Sequence, residues 1–541
     1  MNSSPRLVLK SSWARSALGM LAGSALFAGL VALLYAISFH IAAGTSDKAT
    51  TLLVGQDVGS GNLLLHGWIL PPGNYWTSDV TLYAIGTRVF GLYQGMLYLE
   101  PAIIAALAIV VGVLMVKENR TLLSSLAGIL TLVVLLVFAT PPMALWLVGN
   151  GFHIVTALYA LVAFLLLKES TFGWRWVLAV AVLAFGMLGD LEIVAFAILP
   201  LFLAGTSAML RRRSWRSGFS QVGAAIVSAV IGEFLLRSTL ALGAFRRGPS
   251  LPVAHLHQMA TNLGHVFTYS AGLLGVTNGR FGTAGIPIGL LGVHVVGGLL
   301  TIFGLIAALG SVVVGVMRGT SGGDSRASDQ ESWRIDDLLL FGAFGSAALF
   351  VVLAGANGLG IHFLSISVLF ASILAGRVVA RTWPRLPKGR IRQSVAMFGV
   401  ALALVLAAGI AIEVSLPAPV QPTSALVAFL EQHDLRNGIG GYWTAAITTV
   451  ESRGQITVRP VEVAPNGKLR RMMTQSSERW YRDQHFQFVV GDMRHAGNVT
   501  NEAARKTWGV PTHIFDVGQY RVYVWGKDLR VLAFPPGAKL G

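Results

Sequence analysis

Two stretches of this sequence, Pro101 to Val116 and Leu122 to Ala139, contain no ionisable residue. With their flanks they approach the ~20 residues that a helix needs to cross a hydrocarbon core. Runs of this kind leave few folds open, because in lipid every backbone N–H and C=O must find its partner inside the segment, as it does in a helix. Similar runs recur along the chain. With 54% hydrophobic and 12% charged residues, the composition departs from the usual soluble mix of about a quarter charged. Ala17 to Phe39 follows a basic stretch in the manner of a signal sequence, but its apolar part is too long for one, so it is expected to remain as the first span.

The formal net charge of +16 invites a nucleic-acid reading until its placement is considered. Roughly half of the 41 Lys and Arg residues fall in six segments: the N-terminus, Lys117 to Arg120, Lys168 to Arg175, Arg211 to Arg216, Arg318 to Arg334 and Arg377 to Arg392. The alternate short loops Ala139 to Gly151, Gly189 to Glu192 and Gly355 to Ile361 carry none. That is the positive-inside asymmetry, so the charge reports topology and contact with anionic membrane lipids, with no nucleic-acid partner expected. Taking the basic loops as cytoplasmic predicts about eleven spans, near 17–39, 96–116, 121–139, 152–167, 175–188, 193–210, 220–241, 287–317, 337–354, 362–380 and 395–415. The N-terminus is then cytoplasmic and the C-terminus extracytoplasmic. The expected fold is an all-α polytopic membrane domain over residues 1–416, in a bacterial plasma membrane, followed by an extracytoplasmic α/β domain over 417–541.

Three pieces are expected outside. In the first, 41–95, SDKATTLLVGQDVGSG reads as a short helix capped by Ser46. From Asp79, a second helix puts Leu82, Ile85, Val89 and Leu92 on one face and Arg88 off it, as for a helix lying flat in the interface. The second piece, 242–286, gathers Arg246, Arg247, His255, His257, His265 and Arg280 among glycines and prolines. Such a cationic cluster opposes the charge trend and suggests an anionic ligand. In the third, Thr423 or Ser424 caps a helix that Asn437-Gly438 stops, and QITVRPVEV, His485 to Gly491, HIFDV and YRVYVW alternate as strands. The chain has no cysteine, so disulfides and thiolate metal sites are excluded. No Walker, Rossmann, HExxH or nucleophile-elbow motif is present.

Carboxylates near the outer face are costly and therefore functional candidates. They are Asp47, Asp57, Asp79, Glu100, Asp190 and Glu192, with Glu233 inside a span. Asp47 follows the first span in SFHIAAGTSDKATT, and GNLLLHGWILPPGNYWTSD comes after it. This layout resembles the first outer loop of the GT-C glycosyltransferases, in which an Asp ends the first span and a Gly-Asn step and an aromatic segment precede a second amphipathic helix. The resemblance implies inverting transfer from a polyprenyl-phosphate-linked sugar to an extracytoplasmic glycan, lipid or protein acceptor. It assigns Asp47 the role of general base and Gly61-Asn62 the downstream turn. Lys48 stands where Glu is frequent in the family, which disfavours metal binding by a paired Asp-Glu and leaves a metal-independent base; a divalent metal stays open as a cofactor.

Asp79 and Asp190 begin helices and suit capping, while the resemblance makes Asp190 a second donor-site or metal candidate. Arg246, Arg247, His255, His257 and Arg280 are candidates for the donor phosphate. His362-Phe363 matches a position where the family often has Arg-Tyr, so His362 is either a titratable phosphate ligand or a core histidine. Trp68, Tyr75 and Trp76 could stack on a sugar, though aromatics at this depth more often anchor at the interface. Two other classes fit the same composition: a transporter or flippase, for which Glu233 and Arg237 are the one mid-span pair, and a non-catalytic cell-envelope assembly protein.

Overall fold

A computed structural model describes residues 5–117, 120–169, 172–211, 215–248, 252–276, 288–317, 327–354, 360–482, 484–494 and 499–531. Among them, seven helices are long and apolar enough to cross a membrane: Ser16–Ile41, Met96–Lys117, Trp215–Ala241, His294–Val314, Arg334–Val352, Ile361–Arg385 and Arg390–Ser415. These make the chain an integral membrane protein. An eighth is obtained if Leu122–Val137 and Pro141–Asn150, bent by 80° at a break, count as one span. Pro141 and Pro142 follow the break, and proline ends the preceding helical run because its neighbour is driven out of the α region. Ile154–Leu166, Trp174–Gly189 and Val194–Leu210 are shorter apolar helices. Every segment expected to span is thus largely helical among the described residues, and length and composition by themselves single out seven or eight of the eleven expected crossings.

Ile361–Thr382 is buried along most of its length and forms the centre of the bundle, against Ala327–Val352 and Leu122–Leu132. At its basic end Arg377, 0% exposed, pairs with Asp336 at 2.6 Å, and Arg211 pairs with Asp337 at 3.0 Å. Two residues that contribute to the charge asymmetry are therefore packing elements. Glu233 and Arg237 pair at 2.6 Å on an exposed face, which is local neutralisation one helical turn apart.

The outer layer starts with α2 (Ser46–Gly59) and α3 (Asp79–Phe90), which pack against each other. The cap of α2 is Thr45, whose hydroxyl accepts from the Lys48 N–H at 3.5 Å; Ser46, expected as the cap, is the first helical residue. On α3, Val80, Tyr83, Ala84 and Thr87 are buried, while Ile85, Val89 and Phe90 are exposed, so its outward side is apolar. Between the two helices Asp57 accepts from Asn62 Nδ2 at 2.6 Å and Trp68 Nε1 at 2.7 Å, which fixes the intervening turn. Trp68 is 1% exposed and meets Trp480 edge-on at 4.7 Å, so it is a core residue of the outer layer rather than an interface anchor.

Residues 242–276 are not the open loop expected: they contain β2 (Arg246–Arg247) and an 18-residue helix, Leu256–Leu273. Beyond the last span, Ser424–Gln432 forms a helix. Asn437–Gly440 is not a helix stop but β3, a central strand of a six-stranded sheet ordered β5-β4-β3-β7-β9-β8. The other strands are β4 (Thr457–Val463), β5 (Leu469–Arg471), β7 (Phe486–Asp492), β8 (His513–Val517) and β9 (Tyr520–Leu529). Strand β3 runs parallel to both β4 and β7, and glycine is needed at 438 because a Cβ there would lie 2.2 Å from the Phe488 ring.

The C-terminal domain is docked, not merely tethered. A second small sheet joins β1 (Trp68–Leu70) to β2 in parallel and to β6 (Ser476–Ser477) antiparallel, so one strand from each of the three outer pieces meets in it. Ala446, Ile447 and Val450, from the helix Tyr442–Glu451, enter the same apolar core as Leu52, Leu53 and Val80. Gln421 fastens the linker, accepting from the Gly44 N–H at 2.8 Å and donating to the Tyr98 hydroxyl at 2.6 Å.

Candidate active site

Asp47 and Lys48 are neighbours in the first turn of α2, roughly 100° apart around the helix, and they point to different partners. Lys48 turns inward, where its ammonium donates to the carbonyl of Leu97 at 2.8 Å and to that of Gly149. Burial lowers it to about 7, against the opposing fields of Glu100 and Asp79. Those two carboxyls face each other beneath it, and Asp79 Oδ2 and Glu100 Oε1 are buried without a donor from the chain. Burial pushes Asp79 up to about 6, and a proton shared between the two carboxyls would satisfy both oxygens. Asp79 is therefore part of a buried Lys48–Glu100 network. The Ser78 side chain makes no cap bond to this helix.

Asp47 faces the C-terminal domain. Its carboxylate accepts hydrogen bonds from the Tyr442 hydroxyl and from the Gln475 side chain. Burial raises its pKa above the ordinary carboxylate value, and the two hydrogen bonds offset part of that rise. No described Lys or Arg is ion-paired with it.

A second cluster lies beside the first. His153 Nδ1 is 2.7 Å from Asp190 Oδ2 and 2.6 Å from Glu192 Oε2, and its Nε2 is 3.1 Å from the Tyr75 hydroxyl. Asp190 is 1% exposed; it also accepts from Thr156 Oγ1 at 2.5 Å and from the Glu192 N–H at 3.0 Å. The His362 ring stacks on His153 with centroids 4.7 Å apart. His153, Glu192 and His362 could hold a metal ion, since they offer ligand atoms within 4.8 Å of one another. Tyr75 joins the two clusters: burial and the fields of Glu192, Asp190, Asp79 and Asp47 all push its phenol upward.

The backbone is unusual at the same place. Among the described residues six non-glycine residues have positive φ, and three of them, Tyr75 (56°), His153 (62°) and Gln475 (51°), belong to these clusters. Non-glycine residues in the left-handed region are uncommon, and such conformations gather at functional sites where surrounding contacts fix them.

The candidate phosphate ligands separate. Arg246 pairs with Glu478 at 3.0 Å, whereas Arg247 Nε and Nη2 are buried with no hydrogen-bond partner. His255 is the N-cap of Leu256–Leu273 and His257 lies in its first turn. Both are exposed, and two positions apart on a helix they diverge instead of converging as on a strand. Arg280 lies outside the described residues. The structure therefore gathers Asp47, Asp79, Asp190 and His362 around Tyr75 and leaves His255 and His257 apart. Sequence reading passed over His153, Tyr442 and Gln475. His153, at the start of an expected span and two residues past a loop without Lys or Arg, was a usable signal for the first; the other two carried none.

No family model matches the chain, and no curated protein matches it. Solved structures similar to it include ArnT from Cupriavidus metallidurans bound to undecaprenyl phosphate, with 12% identity, a TM-score of 0.41, and 93% of this chain and 98% of that chain covered. The same protein in the apo state gives 13% identity, a TM-score of 0.41, and 94% and 98% coverage. At that distance the likeness gives no residue of this chain a role.

Proposed function

We propose that this protein is a GT-C-type membrane glycosyltransferase that moves a sugar from a polyprenyl-phosphate carrier to an extracytoplasmic acceptor, with Asp47 as general base. The observation that supports it most is the setting of Asp47, a half-buried carboxylate on the first outer loop with a raised pKa and no cationic partner among the described residues. It is held by two neutral donors from the C-terminal domain. A carboxylate so placed keeps its basicity, because no permanent charge stabilises its ionised form. The apolar spans accommodate a lipid tail while the outer layer receives the head group and acceptor.

In the proposed step Asp47 takes the proton of the acceptor hydroxyl as its oxygen attacks the anomeric carbon. The carbon–oxygen bond to the phosphate breaks on the opposite face, so the configuration inverts and polyprenyl phosphate departs. Arg247, with two guanidinium nitrogens unpartnered, is positioned by its chemistry to stabilise that phosphate. The outer layer is extracytoplasmic in this reading, with the N-terminus cytoplasmic.

The test is release of polyprenyl phosphate by purified protein supplied with polyprenyl-phosphate sugars and acceptor. Asp47→Asn keeps size and removes basicity, so it should bind donor normally and lose transfer by about 10²–10⁴-fold. Near-normal transfer by that variant sinks the assignment, and a larger loss in Asp79→Asn or Asp190→Asn relocates the base.

A further inference from the structure

The His153 Nδ1 atom has two carboxylate oxygens within 2.7 Å, from Asp190 and Glu192. A single N–H aligns with only one acceptor, and here that is Asp190. Glu192 Oε2 is buried with no hydrogen bond, although it lies 2.6 Å from the same nitrogen. Neither carboxylate has a Lys or Arg ion partner among the described residues. Two carboxylates, one of them with an orphaned oxygen, thus face one imidazole nitrogen, and a second imidazole, His362, stacks on that ring. Buried charge is stable when it is paired or coordinates a metal.

We propose that His153, Glu192 and His362 bind one divalent transition-metal ion, zinc by their chemistry, and that Asp190 positions the ligands. Two imidazoles and a carboxylate suit zinc, while magnesium and calcium select all-oxygen sets. Three protein ligands leave a fourth position for water or another oxygen. The remaining contacts have the form of an outer shell: Asp190 accepts from the His153 Nδ1–H and leaves Nε2 to ligate, Thr156 donates to Asp190, and Asp190 accepts from the Glu192 backbone N–H. The ligands come from the residue before Ile154–Leu166, the turn after Trp174–Gly189 and the first turn of Ile361–Thr382, so the ion ties three helices at the outer face. The site does not depend on the transfer reaction.

The experiment uses full-length protein in detergent, stripped with EDTA, dialysed and titrated with zinc chloride by calorimetry, with metal content measured in parallel. Wild-type protein should take up about one ion per chain and release protons as it does so, because the ligands must be deprotonated. Glu192→Gln and His362→Gln, each checked for monodisperse elution, should bind at least tenfold more weakly. Asp190→Asn should bind about 10–100-fold more weakly. Arg521→Gln, on the exposed face of the C-terminal domain, should bind as wild type. Cobalt(II) substitution gives a readout that needs no variant, since low-coordinate nitrogen and oxygen ligation produces visible absorption. Absence of saturable zinc binding to the wild-type protein overturns the site, as does equal affinity in all four variants.

Discussion

Tyr442 donates a hydrogen bond to the Asp47 carboxylate across 395 residues of sequence, from the first turn of a helix in the C-terminal domain to the first turn of α2. That bond stabilises the ionised form, while burial opposes it. Removing it in Tyr442→Phe should raise the Asp47 pKa further. A base acts only when deprotonated, so the acid limb of kcat/KM should move to higher pH by about one unit, the worth of one hydrogen bond to a charged group. An acid limb at the wild-type position would separate Asp47 from the titration that governs transfer.

The two adjacent arginines should behave differently when replaced one at a time. Arg247→Gln removes the guanidinium with unpartnered nitrogens and should weaken donor binding by about tenfold or more, a charge-assisted hydrogen bond being worth about 1.5–3 kcal/mol. Arg246→Gln breaks a largely exposed pair with Glu478 and should change stability by no more than about 1 kcal/mol, with donor affinity little altered. Titration of both variants with a polyprenyl-phosphate donor decides the matter, and equal losses would contradict the split.

Lys48→Met leaves two carbonyls and a carboxyl pair without their cation in a buried setting. Removing one partner from a buried charge network costs about 3–5 kcal/mol. The variant should melt well below wild type in detergent, and adding Glu100→Gln should restore part of the loss because the two sites are coupled. A melting temperature unchanged by Lys48→Met would show that the network contributes no stability.

If the outer layer is extracytoplasmic, reporters fused after residue 531 should be active only when the reporter requires export. Activity of a cytoplasm-dependent reporter at that point would reverse the topology.

The apolar segments were legible in the sequence because lipid imposes length and composition on each of them separately. The crossing count was less so, since Ile154–Leu166 and Trp174–Gly189 are apolar yet short. Charge asymmetry was also an imperfect guide: Arg211 and Arg377 contribute to it but lie inside the bundle, paired with Asp337 and Asp336. A buried arginine and a solvated one read alike in a string of letters. Within the candidate site, Asp47 was visible from its place after the first span. Its partners Tyr442 and Gln475 were not, because nothing local to NGIGGYW or TQSS specifies a contact with a residue several hundred positions earlier. His255 and His257 illustrate the reverse error. They look concentrated in sequence, but the helix that begins at Leu256 turns them apart.

The small sheet in which β1 sits between β2 and β6 sets an order of events during synthesis. Trp68–Leu70 is made early, its parallel neighbour Arg246–Arg247 follows after several membrane segments, and Ser476–Ser477 is among the last pieces to arrive. Until then β1 has an open edge and Asp47 lacks Tyr442. A ribosome stalled before residue 442, or a protease that removes the final quarter of the chain, would leave a membrane-embedded protein with its first outer loop intact and its carboxylate unfinished. Completion of translation is thereby a condition for assembling this layer, since the small sheet and the Tyr442–Asp47 hydrogen bond form only once the C-terminal domain has been made.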